Sequence, residues 1–337
     1  MSKVNNEMFN RKAHPFPKSI MQKFNNKCEH YDTIIIVEGI SDEDFYKNTN
    51  IEILNNLNKV CYIYAQKNGY DEKKENLGKN AVIESYFDIK QNSLHKEYNN
   101  SVIFIVDKDF FGINWNAPKY RKILENKKAK NVKVDDINNF TILDCHSHEC
   151  YFILENNLKQ IFKLLNIEDK LEQFNNIFNT NLEGLSEYFA YKSILEDENP
   201  NRSYLGCQYD NINNIPGINF NFEYKDGELK FNKVDMQKGI ETMKKEIEYS
   251  HNRKNFENQY LEMKQKFKQQ PELLRGHTLF ELLECYLRYY GKYLTSYNEF
   301  DYKYEYKKDL IKSMSIPLII KKLKIKFGEY IICKKHI

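Results

Sequence analysis

The chain lacks most marks of a secreted or membrane-embedded protein. Among its 337 residues no apolar run approaches the ~18 that a membrane helix needs. The first residues are polar, without the apolar core of a secretory leader. The seven cysteines (Cys28, Cys61, Cys145, Cys150, Cys207, Cys285 and Cys333) are odd in number and include no CxxC pair. Scattered single thiols suit a reducing compartment better than a disulfide scaffold. These absences set the expectation of a cytoplasmic protein that makes no membrane contact. No segment fits GxxxxGK[ST], so the chain carries no P-loop of its own and any dependence on ATP belongs to a partner. Arginine is scarce, six of 51 basic residues, against 45 Lys and 41 Asn. That excess follows AT-rich coding rather than binding chemistry, so Lys- and Asn-rich stretches carry little functional weight.

What is present is enough for a folded protein. The chain is 41% hydrophobic and 29% charged, too rich in Ile, Leu, Phe and Tyr for global disorder. It is long enough for one large or two modest domains. The net charge of +3 is unevenly spread: residues 303–337 hold ten Lys against Glu305, Asp309 and Glu329, a local +7. Such a tail reads either as a nucleic-acid contact or as the solvated face of a terminal helix.

Residues 1–30, with Pro15 and Pro17, read as an irregular lead-in. Residues 31–155 then alternate strands and helices. Thr33-Ile34-Ile35-Ile36-Val37 is a continuous β-branched run, the pattern of a strand buried on both faces. Ser41 and the acidic residues after it mark the start of a helix. Val60–Ala65, Val102–Val106 and Thr141–Leu143 predict three further strands, and a helix is expected from about Asn80 through Phe87. The expected fold class is α/β with a mainly parallel sheet and flanking helices. In such sheets a ligand site lies beyond the carboxyl ends of the strands. From 156 to 337 the apolar period becomes helical, interrupted by a β-hairpin near 219–232 around Asp226-Gly227. Ile240, Met243, Ile247, Phe256, Tyr260, Met263 and Phe267 predict one long helix over 236–270, ended by Pro271, that offers a dimer surface. Thr278 and Glu281 have the spacing of a capping box. The Tyr-rich segment 286–306 suits either base stacking or helical packing.

Acidic residues stand at predicted strand ends, Glu38 after the first and Asp107 with Asp109 after the third, and Asp42 lies in the first turn of the helix expected after Glu38. Hard cations such as Mg²⁺ or Mn²⁺ prefer carboxylate oxygens, and carboxylates converging at a sheet edge raise one another's pKa unless a cation neutralises them. Glu38, Asp42, Asp107 and Asp109 are therefore the candidate metal ligands. Glu38 can serve as a ligand of a second ion or as a general acid or base. Lys108 points away from its Asp neighbours in an extended segment. Lys79 is a candidate phosphate contact, with a solvated lysine as the plainer alternative. Cys145, His146, His148 and Cys150 lie close together, but structural zinc usually takes its ligands from two separated pairs.

The segment Ile34–Tyr46, with Glu38-Gly39, followed by Val102–Phe110, with Asp107-Lys108-Asp109, resembles the TOPRIM domain of topoisomerases, bacterial primases and overcoming-lysogenization-defect nucleases. Ser147-His148-Glu149-Cys150-Tyr151 is similar to a Ser-x-Glu-Asn-Tyr segment of one TOPRIM-like subgroup, with Cys150 where Asn is usual. The likeness covers residues 33–151. It implies a TOPRIM-like fold and Mg²⁺- or Mn²⁺-dependent phosphodiester cleavage, with Glu38, Asp107, Asp109 and Glu149 as catalytic residues. The subgroup includes the toxic effectors of PARIS anti-phage systems. Membership would imply an abortive-infection nuclease that cuts tRNA after release from an ABC-type ATPase partner, and a homodimer. The alternatives are a DNA-cleaving TOPRIM nuclease and a non-catalytic module docking on the ATPase.

Overall fold

A computed structural model describes residues 30–39, 50–51, 59–65, 78–91, 102–113, 118–126, 140–164, 167–195, 221–225, 228–248, 253–294 and 326–327, together with residues 24, 27, 42, 43, 45, 46 and 115. The four apolar runs form one parallel sheet. Strands β1 (Thr33–Val37), β3 (Val60–Tyr64), β4 (Val102–Val106) and β5 (Phe140–Ile142) stand in the order β3-β1-β4-β5. Ile34 lies opposite Cys61 on one side and Val102 on the other. The chain runs from β1 outward to β3 and then returns across β1 to β4, so strand order reverses between β1 and β4. At such a switch point the connections leave the sheet on opposite faces and open a crevice at the carboxyl ends.

Alternation along the strands sends successive side chains to opposite faces. Ile34, Ile36, Val102, Phe104 and Val106 pack on one face with Val82 and Tyr86 of helix α1 (Lys79–Gln91) and Tyr120 and Ile123 of α2 (Pro118–Asn126). Ile35, Val37, Ile103 and Ile105 point the other way, into a cluster with Phe45, Tyr151, Phe152 and the later helices. Every residue of β1 and β4 is buried as a result. The lead-in is less irregular than expected: Phe24 and Lys27 are helical, and Phe24 is buried in the first of these clusters.

The helical region comprises α3 (Glu155–Leu164), α4 (Leu171–Leu195), α5 (Val234–Glu248), α6 (Arg253–Gln269) and α7 (Gly276–Leu294). The hairpin is β6 (Asn221–Lys225) with β7 (Glu228–Asn232), antiparallel as expected. The single long helix expected over 236–270 is two. Lys244 of α5 and Lys264 of α6 both reach Glu187 of α4, at 2.7 and 3.2 Å. Twenty residues apart on one straight helix, they would be separated by about 30 Å. Ile240, Met243, Ile247, Phe256, Met263 and Phe267 are buried within the chain, so this stripe is core. Nor is Thr278 a cap: α7 begins two residues earlier, and the Thr278 N–H donates to Arg275 O at 3.0 Å. The early start is possible because Gly276 has no side chain, since a Cβ there would lie 2.1 Å from Ser147 Oγ. Tyr286 is buried in helical packing, its hydroxyl 3.0 Å from Lys170 O. Of the basic tail only β8 (Lys326–Phe327) is described, paired in parallel with β2 (Asn50–Ile51); the rest of it, Ser41 and residues 295–306 lie outside the described residues. Among the described residues no helix is long and apolar enough to cross a membrane.

Candidate functional site

The crevice between β1 and β4 collects the acidic residues. Glu38 follows β1 directly, and its Oε1 accepts the Asp107 backbone N–H at 2.8 Å, tying the two strand ends together. Gly78 faces the other carboxylate oxygen: a Cβ there would stand 3.5 Å from Glu38 Oε2, and its φ of +76° is one that other residues rarely adopt. Asp42 lies on the helical turn after β1 and is buried.

His148 opens a 3-10 helix (His148–Ile153) that descends onto the same crevice. Its backbone N–H donates to Asp107 Oδ1 at 3.3 Å, and its Nδ1 stands 3.2 Å from Asp42 Oδ1 and 4.0 Å from Asp107 Oδ1. Asp42, Asp107 and His148 each bring one ligand atom within 4.8 Å of the others, the group of described residues arranged to hold a metal ion. The imidazole is 2% exposed and packs against the Phe45 ring, with centroids 4.7 Å apart. Among the described residues, neither of its ring nitrogens makes an aligned hydrogen bond, and the buried Tyr46 hydroxyl likewise has no partner.

Electrostatics at the crevice are strained. Burial lifts Glu38 to about 8; Asp109 and Asp42 add to the rise, while Lys79 and the Asp107 amide oppose it. Asp107 is held well above the usual carboxylate range by burial and by Asp42 and Glu38. His148 is raised despite burial, which alone would lower it, because Glu149 and Asp42 favour its charged form. Burial takes the neighbouring His146 down to about 4.

The remaining expected residues fall elsewhere. Asp107 and Asp109 do not face one ion from an extended chain. Asp109 adopts a left-handed φ of +53°, its N–H donates to His146 O at 2.8 Å, and its carboxylate pairs with Lys79. Lys79 is therefore a buried, ion-paired group at the start of α1 and not a solvated lysine. Lys108 does turn away, its Nζ donating to Asp144 O at 3.3 Å. Glu149 is 1% exposed and occupied by other protein groups. Ser147 Oγ donates to its Oε2 at 2.5 Å, and His277 Nδ1 lies 2.8 Å from its Oε1. Burial would raise Glu149, but His148, His277 and Ser147 overcome it and hold the carboxyl at about 2. The zinc alternative finds no support among the described residues: Cys145 Sγ contacts Ser147 O at 3.2 Å and Cys150 Sγ contacts Leu274 O at 3.4 Å.

The sequence reading missed His148 as a partner of the carboxylates. Its one signal was its place beside Glu149 in the Ser147–Tyr151 segment. No protein-family model matches the chain, and no curated protein matches it.

Proposed function

We propose that the chain is a metal-dependent endonuclease of the TOPRIM type, a toxic anti-phage effector that cuts tRNA. The observation that carries this reading is the convergence of Asp42, Asp107 and His148 beside Glu38 at the switch point of the sheet. The donor set fits a divalent cation: burial and the neighbouring Asp42 hold Asp107 well above the usual carboxylate range, and a buried imidazole nitrogen faces the two without an aligned partner among the described residues. Asp42, Asp107 and His148 would hold the ion, for which Mg²⁺ or Mn²⁺ is the proposed identity. A divalent cation there supplies Lewis-acid polarisation of a phosphoryl oxygen and neutralises developing charge.

The chain's own groups do the rest. Glu38 fixes the start of the Asp107 segment through Oε1 and keeps Oε2 on the Gly78 side of the crevice. Lys79, buried and paired with Asp109, would meet a phosphate only by exchanging that carboxylate for it. The choice of tRNA, release from an ABC-type ATPase and a homodimeric state rest on the resemblance to AriB, the effector of the PARIS system.

The test is incubation of the purified protein with total tRNA, and separately with plasmid DNA, in Mg²⁺ or Mn²⁺, beside Glu38→Ala and Asp107→Ala. The expected result is tRNA cleavage that both substitutions abolish. Plasmid cutting alone would reassign the substrate to DNA. Cutting that survives both substitutions would remove the crevice from the mechanism.

A further inference from the structure

The crevice has a second layer that the carboxylate motif does not announce. His148 is bracketed: Nδ1 faces Asp42 and Asp107, and Nε2 faces Glu149 Oε1 at 3.5 Å. That same oxygen receives His277 Nδ1 at 2.8 Å, while the other, Oε2, accepts Ser147 Oγ at 2.5 Å. Glu149 thus lies behind the ligand set, touching it at His148. A ligating histidine commonly turns its second nitrogen toward a carboxylate, which fixes ring orientation and tautomer. Glu149 occupies that place as an ion-pair contact 3.5 Å from Nε2, without an aligned hydrogen bond, and its own position is set from the helical region by His277 in the first turn of α7.

That first turn is built for close approach. Gly276 lies where a Cβ would meet Ser147 Oγ and come within 3.2 Å of the Cys150 backbone nitrogen. The His146 N–H donates to Glu272 O at 3.0 Å, and Phe152 meets Phe280 at 4.9 Å. The His277 side chain is 68% exposed, yet one nitrogen reaches a carboxylate that is 1% exposed. The contact joins the protein surface to the innermost layer of the crevice.

The geometry points to Glu149 and His277 as positioning residues. Glu149 holds His148 with Nδ1 turned to the cation cluster, and His277 holds Glu149, so the start of α7 sets the affinity of the crevice for a divalent cation. This inference rests on the reading of Asp42, Asp107 and His148 as a cation site. It withdraws Glu149 from the direct catalytic role expected for it.

The experiment is a Mn²⁺ titration of the full chain followed by electron paramagnetic resonance of the free ion, on wild type, His148→Ala, Glu149→Gln, His277→Ala and His277→Asn. Wild type is expected to bind and His148→Ala to lose binding. Glu149→Gln and His277→Ala are expected to weaken it roughly 10- to 100-fold. His277→Asn, whose amide nitrogen can stand in for Nδ1 as a donor to Glu149, is expected to restore affinity close to wild type. That rescue is what a merely structural role would not give, and the exposure of His277 allows its variants to fold. If wild type binds and His148→Ala loses Mn²⁺ as expected while Glu149→Gln and His277→Ala bind like wild type, the positioning role is overturned and the cation site stands. Equal loss in His277→Ala and His277→Asn also overturns it. No Mn²⁺ binding by wild type would overturn both readings.

Discussion

His148 and His277 meet at one atom: Nε2 of the first lies 3.5 Å, and Nδ1 of the second 2.8 Å, from Oε1 of Glu149. One imidazole is buried against the acidic crevice and the other stands at the surface on a helix that begins 128 positions later in the chain. A single buried carboxylate therefore couples the sheet domain's crevice to the helical region.

Like charge at the crevice costs stability when no cation is present. Asp107→Asn keeps an oxygen to accept the His148 N–H and removes repulsion from Asp42 and Glu38. Its metal-free form is expected to gain on the order of 1 kcal/mol, read as a higher Tm. Wild type, in contrast, should be stabilised by Mn²⁺, by about 2.7 kcal/mol at a hundredfold excess over Kd, and so rise in Tm. Thermal scans with and without Mn²⁺ check both; a Tm response to Mn²⁺ of wild-type size in Asp107→Asn would remove Asp107 from the ligand set.

Gly276→Ala is expected to cost about 1–3 kcal/mol by overpacking. Turning Ser147 Oγ aside relieves the contact at 2.1 Å but breaks its bond to Glu149, and the Cys150 backbone nitrogen cannot turn aside at all. Denaturant unfolding measures the loss. A second substitution, Ser147→Ala, is expected to recover part of it by opening the space, and additive losses in the double variant would show that the two residues do not compete.

Glu187 joins α5 and α6 to α4 through Lys244 and Lys264. Burial tends to raise its carboxyl, but the two ammonium groups prevail and hold it below its ordinary 4.5. A carboxylate lowered in the folded state contributes stability above its unfolded pKa and loses it as pH falls through the folded value. Glu187→Gln is therefore expected to be less stable than wild type by about 1 kcal/mol at neutral pH. The gap should close as the pH falls below about 4.5 through the lowered folded value. Melting curves across that range supply the check, and a gap that widens toward acid would reverse the assigned sign.

Much of the fold could be read before any tertiary information. The β-branched run at Thr33–Val37 could be buried on two faces only in a covered parallel sheet, and Val102–Val106 repeats that logic, while the edge strand Val60–Tyr64 is buried at alternate residues. Asp226-Gly227 marked the hairpin for the same local reason. The break between α5 and α6 was harder to see, because Ile240 to Phe267 keep a helical apolar period on both sides of it. Both helices bury the same kind of stripe, and periodicity does not say that the second folds back on α4 beside the first.

The site divides in the same way. The sequence by itself determined which carboxylates stand at strand ends, because strand pattern and chain direction together place Glu38 and Asp107 at the carboxyl edge of the sheet. Tertiary structure alone decided their partners. Asp109 pairs with Lys79 instead of joining Asp107 in a ligand set, its backbone in a left-handed conformation, Asp42 and Asp107 meet His148 from a segment beyond β5, and Glu149 is taken up by His277. Those pairings join residues 30 to 128 positions apart, and they are set by how helices close over the sheet, which a local pattern of residue types does not encode.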